Sequence, residues 1–260
     1  MTPGIRDNPV RQALRAGGNA YGVFAAEFFT PGFCQIAAGC GAEFVIFDQE
    51  HGAVGIDTLK AQIAFARGVG IAPFVRVPGL AYHLIAPVLD AGAFGIMVPM
   101  IETAEQAENL AKWCRYRPEG VRGLGFGVGH DEYDRGDVVA KMAAENERTL
   151  VIALIETAIG IENADAILAV PGIDIGWLGH YDLTNTMGIT AEFDHPGFQA
   201  AVETLLAACH RHGKTPAILA GTLDAARAWR ARGFRCLACG TDIGLFQSAL
   251  SGLIAGLRAG

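Results

Sequence analysis

Short apolar runs alternate with helical segments eight times along the chain, after one leading helix. A strand covered on both faces of a parallel sheet shows a continuous apolar run, and such runs rich in β-branched and aromatic residues predict strands. The predicted strands cover residues 21–25, 44–47, 71–77, 94–100, 150–155, 173–178, 215–219 and 235–239.

Regular alternation of strand and helix implies parallel strands joined by right-handed crossovers. Eight such units within 260 residues predict a closed (β/α)8 TIM barrel with a leading N-terminal helix, as a single domain over residues 1–260. The first strand is not followed by GxGxxG, which disfavours a dinucleotide-binding sheet. Two long loops are also predicted, at 116–137 and between the sixth strand and a helix over 197–212, and one helix is predicted over 161–169.

Composition narrows the class of protein. The net charge of −7, without a basic run, argues against nucleic acid as a partner. No apolar stretch approaches the ~18 residues of a membrane span, so no membrane association is expected. The N-terminus lacks the features of a signal peptide, and the six cysteines suit reduced core thiols of a cytoplasmic protein. Cys236 and Cys239 have CxxC spacing but lie in an apolar run, which favours a buried strand over a zinc or redox site.

Polar residues follow several predicted strands where each strand ends. In a barrel of this kind the active site lies at the carboxyl ends of the strands, so these side chains are expected to meet at one mouth. They are Asp48, Glu50 and His51 after the second strand, Arg76 after the third, Glu156 after the fifth and Asp182 after the sixth.

The chemistry of these residues indicates enolisation of a 2-oxo acid. Glu156 and Asp182 are oxygen ligands that suit Mg²⁺ or Mn²⁺. Arg76 offers a planar fork for a carboxylate or an enolate oxygen, and His51 is the type of side chain best matched to proton transfer near neutral pH. A Schiff-base mechanism would need a lysine at the mouth, and the four lysines lie on or near helices or at the opposite end.

Two other functions stay open at this point. The same enolate would arise in the decarboxylation of a 2-oxo diacid such as oxaloacetate. A barrel that binds or assembles without catalysis is the third possibility, although it would not need a base, a cation and two metal ligands at one mouth.

Several motifs together resemble the HpcH/HpaI family of class II, metal-dependent pyruvate aldolases. They are Phe47-Asp-Gln-Glu-His51, Pro73-Phe-Val-Arg76, Leu89-Asp-Ala-Gly-Ala93, Val98-Pro-Met100, Gly120-Val-Arg-Gly123, Ile155-Glu-Thr157 and Gly179-His-Tyr-Asp-Leu183. The resemblance implies a TIM barrel that acts on a small 2-oxo acid and an aldehyde with a divalent metal (Mg²⁺, Mn²⁺ or Co²⁺). It also implies a homo-hexamer, a trimer of dimers in which the last helix is swapped between paired subunits.

By position, the resemblance assigns Glu156 and Asp182 as metal ligands, Arg76 and His51 as catalytic residues, and Asp90 as the acid that raises the basicity of His51. The backbone around Tyr181 and Asp182 matches the site for the pyruvate carboxylate, with Arg76 as a further substrate contact. The chain departs from the family pattern at Leu154, where many members have Gln, and at His180 and Tyr181, which stand in the usual Gly-Pro-x-Asp-Leu motif. These departures leave the predicted metal ligands intact and bear on the choice of substrate.

Overall fold

The structure, a computed structural model, describes residues 4–259 as a closed barrel of eight parallel strands. Each strand pairs with the next along the chain, and β8 pairs with β1 to close the barrel. The strands are β1 Ala20–Ala25, β2 Phe44–Asp48, β3 Ala72–Arg76, β4 Gly95–Val98, β5 Leu150–Ile155, β6 Ile175–Leu178, β7 Thr215–Leu219 and β8 Cys236–Thr241. This confirms the predicted TIM barrel. The predicted single domain includes residues 1–3 and 260, which lie outside the described range.

Twelve α-helices accompany the strands within residues 4–259. They are α1 Pro9–Arg15, α2 Pro31–Gly39, α3 Ile56–Gly68, α4 Tyr82–Ala91, α5 Ala104–Cys114, α6 Val138–Arg148, α7 Ala158–Glu162, α8 Ala164–Ala169, α9 His180–Thr186, α10 Pro196–Arg211, α11 Leu223–Ala231 and α12 Asp242–Ala259. None of the helices in this range combines the length and apolarity that a membrane span requires.

Two predictions about helices were wrong. The helix predicted over 161–169 is divided into α7 and α8 at Asn163, whose side-chain amide donates to the Glu102 carbonyl at 2.8 Å. That contact ties the break between the two helices to the loop that follows β4. The loop predicted after β6 begins with the short helix α9, which places the residues of the Gly179-His-Tyr-Asp motif in a first helical turn.

The expectation that all six cysteines are buried was also wrong for two of them. All six are free thiols, as predicted, but Cys40 and Cys239 are exposed. Cys239 lies on β8, where a barrel strand is normally covered by the helix that follows it. Here that helix, α12, buries only Asp242 of its residues in the described range, so Cys239 stays accessible, whereas Leu237 on the same face of β8 is buried.

The barrel interior is filled by large apolar side chains and closed at its lower end by α1. Val10 and Leu14 of α1 belong to the same buried cluster as the inward-facing strand residues. The Phe44 and Phe74 rings stack with centroids 5.3 Å apart. A Cβ on Gly22 would lie 2.4 Å from the Phe44 ring, so this strand position must lack a side chain.

The buried carboxylate of Asp242, at the start of α12, ties β8 to the loop that follows β1. It accepts hydrogen bonds from the backbone amides of Ala26, Glu27 and Phe28 at 2.7–3.1 Å. Asp242 is 3% exposed, so these amides have little access to water as an alternative partner. The contact fixes the β1 loop at the seam where the barrel closes.

We expect Asp242→Ala to lower the free energy of unfolding by about 1–3 kcal/mol, because it leaves buried amides without an acceptor. Denaturant unfolding followed by circular dichroism measures this. The matched control is Asp224→Ala, which removes a carboxylate with a 96%-exposed side chain from the first turn of α11 and should change stability by no more than about 0.5 kcal/mol. Equal effects of the two substitutions would contradict this account of the seam.

Candidate active site

The carboxyl ends of the strands surround a cavity of about 170 Å³. Five of the predicted site residues line it, and the aromatic and aliphatic side chains of Phe24, Leu154 and Trp177 form apolar walls. The predicted residues at the cavity are His51, Arg76, Glu156, Tyr181 and Asp182. One mouth therefore gathers groups from β2, β3, β5 and β6, as the positions of the strand ends predicted.

Arg76 is held in one orientation by two carboxylates. The register of β2 against β3 sets Asp48 opposite Arg76, and the two side chains form a bidentate pair, with Nε to Oδ1 at 2.8 Å and Nη2 to Oδ2 at 2.6 Å. Glu50 Oε2 lies 3.0 Å from Nη1. Burial by itself would lower the pKa of Arg76, but the hydrogen bonds and charge of Asp48, together with Glu50, outweigh it and raise the pKa. Arg76 therefore stays a fixed cation whose remaining N–H groups can serve a ligand.

His51 stands at the rim of the cavity, and its imidazole is 66% exposed. Its Nε2 lies 3.8 Å from Glu50 Oε2, the same oxygen that approaches Arg76. Burial raises the pKa of Glu50, although the nearby charges of Arg76 and His51 oppose that shift. Glu50 therefore links the candidate base to the fixed cation.

Glu156 is a buried carboxylate positioned by an unusual backbone. Its Oε1 accepts from the Met100 amide at 2.9 Å, and Met100 is a non-glycine residue with φ of 57°, in the left-handed region. Glu156 is 3% exposed, and burial raises its pKa to about 7, with the charges of Glu50 and Asp182 adding to the shift. A Cβ on Gly179 would lie 2.4 Å from Glu156 Oε2, so the glycine keeps this oxygen accessible.

Asp182 and the backbone of Tyr181 come from the first turn of α9. The N-cap of this helix is Gly179, which has no side chain to accept from the first amides of the turn. His180 is the first residue of the same turn. Burial lowers its pKa to about 4, although the charge of Asp182 opposes this shift, so the His180 imidazole is neutral. The mouth thus offers uncapped amides beside an exposed carboxylate.

The donor set suits a hard divalent cation. Within residues 4–259 no group of three or more His, Cys, Asp or Glu side chains is arranged to hold a metal. Glu156 and Asp182 nevertheless supply two oxygen donors at one cavity, and Mg²⁺ commonly takes one or two carboxylates and completes its octahedron with water and substrate. Burial, with the nearby charges of Glu50 and Asp182, raises the pKa of Glu156, and a bound cation would offset the cost of its ionised form.

Asp90 is placed apart from the other predicted residues. It lies near the end of α4, which runs back from the mouth toward the amino ends of the strands, and it does not line the cavity. Its Oδ1 pairs with Nη2 of the buried Arg122 at 2.7 Å. Within one chain, the carboxylate beside the His51 imidazole is therefore Glu50 and not Asp90. The segment 116–137, predicted as a long loop, packs along α4: Arg122 pairs with Asp90, and the Tyr82 hydroxyl accepts from the Gly123 amide at 2.8 Å.

Comparison with known proteins assigns the family. The family model for HpcH/HpaI aldolase/citrate lyase matches residues 21–249. The chain belongs to this family. A hydroxypyruvate/pyruvate aldolase of Chromohalobacter salexigens is 36% identical over 242 residues, which cover 93% of this chain and 94% of the relative. A 5-keto-4-deoxy-D-glucarate aldolase of Shigella dysenteriae is 32% identical over 249 residues, 96% of each chain.

Solved structures give the same result for the fold. An HpcH/HpaI aldolase from Desulfitobacterium hafniense superposes with a TM-score of 0.91 at 26% identity, over 96% of each chain. Both the family and the barrel predicted from the sequence are thereby confirmed.

Three features of the site were missed by reasoning from sequence. Asp48 accepts from the backbone amides of Glu50 and His51 at 3.0 and 3.4 Å, and it also forms the bidentate pair with Arg76, which the sequence did not predict. Met100 and Gly179 act through the backbone, one by donating its amide and one by leaving space. The motif Gly179-His-Tyr-Asp182 carried a signal for Gly179, because a glycine at a strand end, three residues before a metal-ligand candidate, indicates close approach of another group.

The raised pKa of Glu156 predicts a stability penalty in the metal-free protein. Because the folded-state pKa of about 7 lies above the ordinary value of 4.5, stability falls as pH rises between these values, and above pH 7 the folded protein carries a costly charge. Glu156→Gln should therefore raise the free energy of unfolding of the metal-free protein by about 2 kcal/mol at pH 8, and by little at pH 5. Thermal unfolding after exhaustive chelation measures this. Glu162→Gln, on the exposed face of α7, is the control, and a Glu156→Gln protein no more stable than the control at pH 8 would refute the penalty.

Proposed function

We propose that the protein is a class II pyruvate aldolase, which reversibly joins the enolate of pyruvate or hydroxypyruvate to an aldehyde. The observation that carries the proposal is the clamped Arg76 beside Glu156 and Asp182 at one mouth. The relatives named as aldolases support the same reaction class.

Glu156 and Asp182 are the proposed ligands of a divalent metal, Mg²⁺, Mn²⁺ or Co²⁺. When bound, the metal supplies Lewis acidity that polarises the ketone of the 2-oxo acid. Glu156 is pre-oriented by the Met100 amide, and Gly179 leaves its second oxygen unobstructed. Fixing the ligand before binding reduces the entropy that the site loses when it is filled.

Arg76 is the proposed electrostatic stabiliser of the enolate. Its guanidinium has five N–H groups, of which three face Asp48 and Glu50. The others are available for the oxygen on which negative charge develops. Donors that are already fixed do not need to reorganise as that charge forms, which is the main source of this kind of catalysis.

His51 is the proposed proton carrier. In the cleavage direction it accepts the proton of the aldol hydroxyl as the carbon–carbon bond breaks, and it returns a proton in the direction of synthesis. Its exposed position at the rim gives it access to both solvent and acceptor. The uncapped amides of Tyr181 and Asp182 are the proposed site of the substrate carboxylate, since a helix N-terminus favours an anion.

A homo-oligomer, a hexamer built as a trimer of dimers, remains the proposed assembly. α12 exposes a row of large apolar side chains, which a partner subunit would cover: Leu245, Phe246, Leu250, Leu253 and Leu257. The position of Asp90 bears on the same question. Since Asp90 and His51 lie at opposite ends of one barrel, any action of Asp90 on a base requires the base of another copy.

We expect His51→Ala and Arg76→Lys each to lower kcat/KM for aldol cleavage roughly 10²- to 10⁴-fold, the usual contribution of a positioned base or of a charge-stabilising donor. Lysine keeps a cation beside Asp48, so the barrel should stay folded. Release of pyruvate from an aldol substrate measures the loss. His83→Ala, on the exposed face of α4, is the control and should retain full activity. Near-normal cleavage in both variants would disprove the proposed mechanism.

A further inference from the structure

A second cavity of about 420 Å³ adjoins the mouth, between α10 and α11. It extends from the first turn of α9, past the end of β7, to the body of α11. The side chains that define it are Phe193, Leu219, Thr222, Ala225, Trp229 and Arg232. None of the proposed catalytic or metal-ligating residues lines it.

The wall between the two cavities consists of very few residues. Only His180, Tyr181 and Leu219 line both. The rings of His180 and Tyr181 lie 4.8 Å apart, and Phe193 meets the Tyr181 ring edge-on at 5.1 Å. Tyr181 is 59% exposed, so its ring is not locked into the core. A ligand that reaches past these rings from the mouth enters the second cavity directly.

Size indicates that the two cavities act together. Pockets that bind small organic ligands occupy roughly 300–1,000 Å³. The 170 Å³ at the mouth is below that range and suits a three-carbon 2-oxo acid with little else. The neighbouring 420 Å³ supplies the volume that a carbon–carbon bond-forming enzyme needs for its second substrate.

The lining of the second cavity is mainly apolar, and several of its polar groups are already engaged. Arg232 donates to Gln199 and to Glu203, each at 2.8 Å, and its guanidinium stands over the Trp229 ring at 5.2 Å. Thr222 caps α11 by accepting from the Ala225 amide at 3.2 Å. These contacts hold Arg232 and Thr222 against the protein, so the cavity offers a sugar-like chain few polar partners beyond the Thr222 O–H and the unused N–H groups of Arg232.

The charged side chains of the second cavity also favour an uncharged ligand. Glu203 neutralises Arg232, and Asp194 adds an exposed carboxylate to the lining. A ligand that ends in a carboxylate would meet Asp194 without an uncommitted cation opposite it. An uncharged aromatic or branched aliphatic group, by contrast, would pack against Phe193 and Trp229 with no unpaired polar atom.

We infer that the second cavity holds the substituent of the acceptor aldehyde, and that the preferred acceptors are uncharged aldehydes with an aryl or bulky alkyl chain. This inference rests on the proposed aldolase function and specifies its second substrate. His180 and Tyr181, which stand where the family usually has Pro-x after the glycine, form the aromatic boundary between the donor and acceptor sites. The preference differs from the acidic sugar derivative named for the Shigella relative.

The test compares phenylacetaldehyde with glycolaldehyde as acceptors for pyruvate, with Mn²⁺ present. The unmodified protein should show a kcat/KM at least about tenfold higher for phenylacetaldehyde, the discrimination that a hydrophobic pocket can provide. Ala225→Leu and Ala228→Leu fill the cavity from α11 and should each lower the ratio of the two kcat/KM values roughly tenfold. Ala231→Leu, exposed on the same helix but outside the lining, should leave the ratio unchanged.

The outcomes separate this inference from the proposed function. Turnover of glycolaldehyde with no preference for phenylacetaldehyde, or a ratio unaffected by both filling substitutions, overturns the acceptor site and leaves the aldolase intact. If the metal-loaded protein turns over neither of these aldehydes nor any other acceptor, the proposed aldolase function is wrong, and the acceptor site is wrong with it. A ratio that falls equally in Ala231→Leu would also count against the cavity, because the effect would then belong to the helix in general.

Discussion

The bidentate pair between Asp48 and Arg76 is the interaction on which the site depends. It joins the carboxyl ends of two adjacent strands, and the parallel register of β2 and β3 sets the two residues opposite each other. A buried carboxylate paired with a cation is costly to break, since either group alone would be left uncompensated. The arginine can therefore present its free donors to an anionic transition state without moving.

Across the cavity from this pair, negative charge exceeds positive charge. Glu156 and Asp182 share that region with Glu50, and burial leaves Glu156 with a pKa near 7. The left-handed Met100 backbone and the side-chain-free Gly179 both serve the same carboxylate. Strain and like charge of this kind persist where binding of a ligand relieves them, and here the chemistry of the donors favours a hard divalent cation.

Much of the fold could be predicted because the strands are continuous apolar runs and several helices, such as α3 and α4, end at or next to a glycine. The strand ends then identified His51, Arg76, Glu156 and Asp182 together, since parallel strands bring their carboxyl ends to one side. The clamp by Asp48 could not be predicted, because register between strands is set by packing of the whole barrel. Met100 was not predicted because it contributes its backbone amide, a group that every residue except proline has. Asp90 entered only by resemblance, and in one chain it pairs with Arg122, which sequence spacing does not reveal.

Formation of the enolate is the central claim, and it can be measured without any aldehyde. The direct measurement is the exchange of the methyl hydrogens of pyruvate with D₂O, followed by NMR, with the protein and Mn²⁺. We predict exchange well above the uncatalysed rate, lost on exhaustive chelation and restored when the metal is added back. Absence of exchange in the metal-loaded protein, or exchange that chelation leaves unchanged, would contradict a metal-assisted enolate at this mouth.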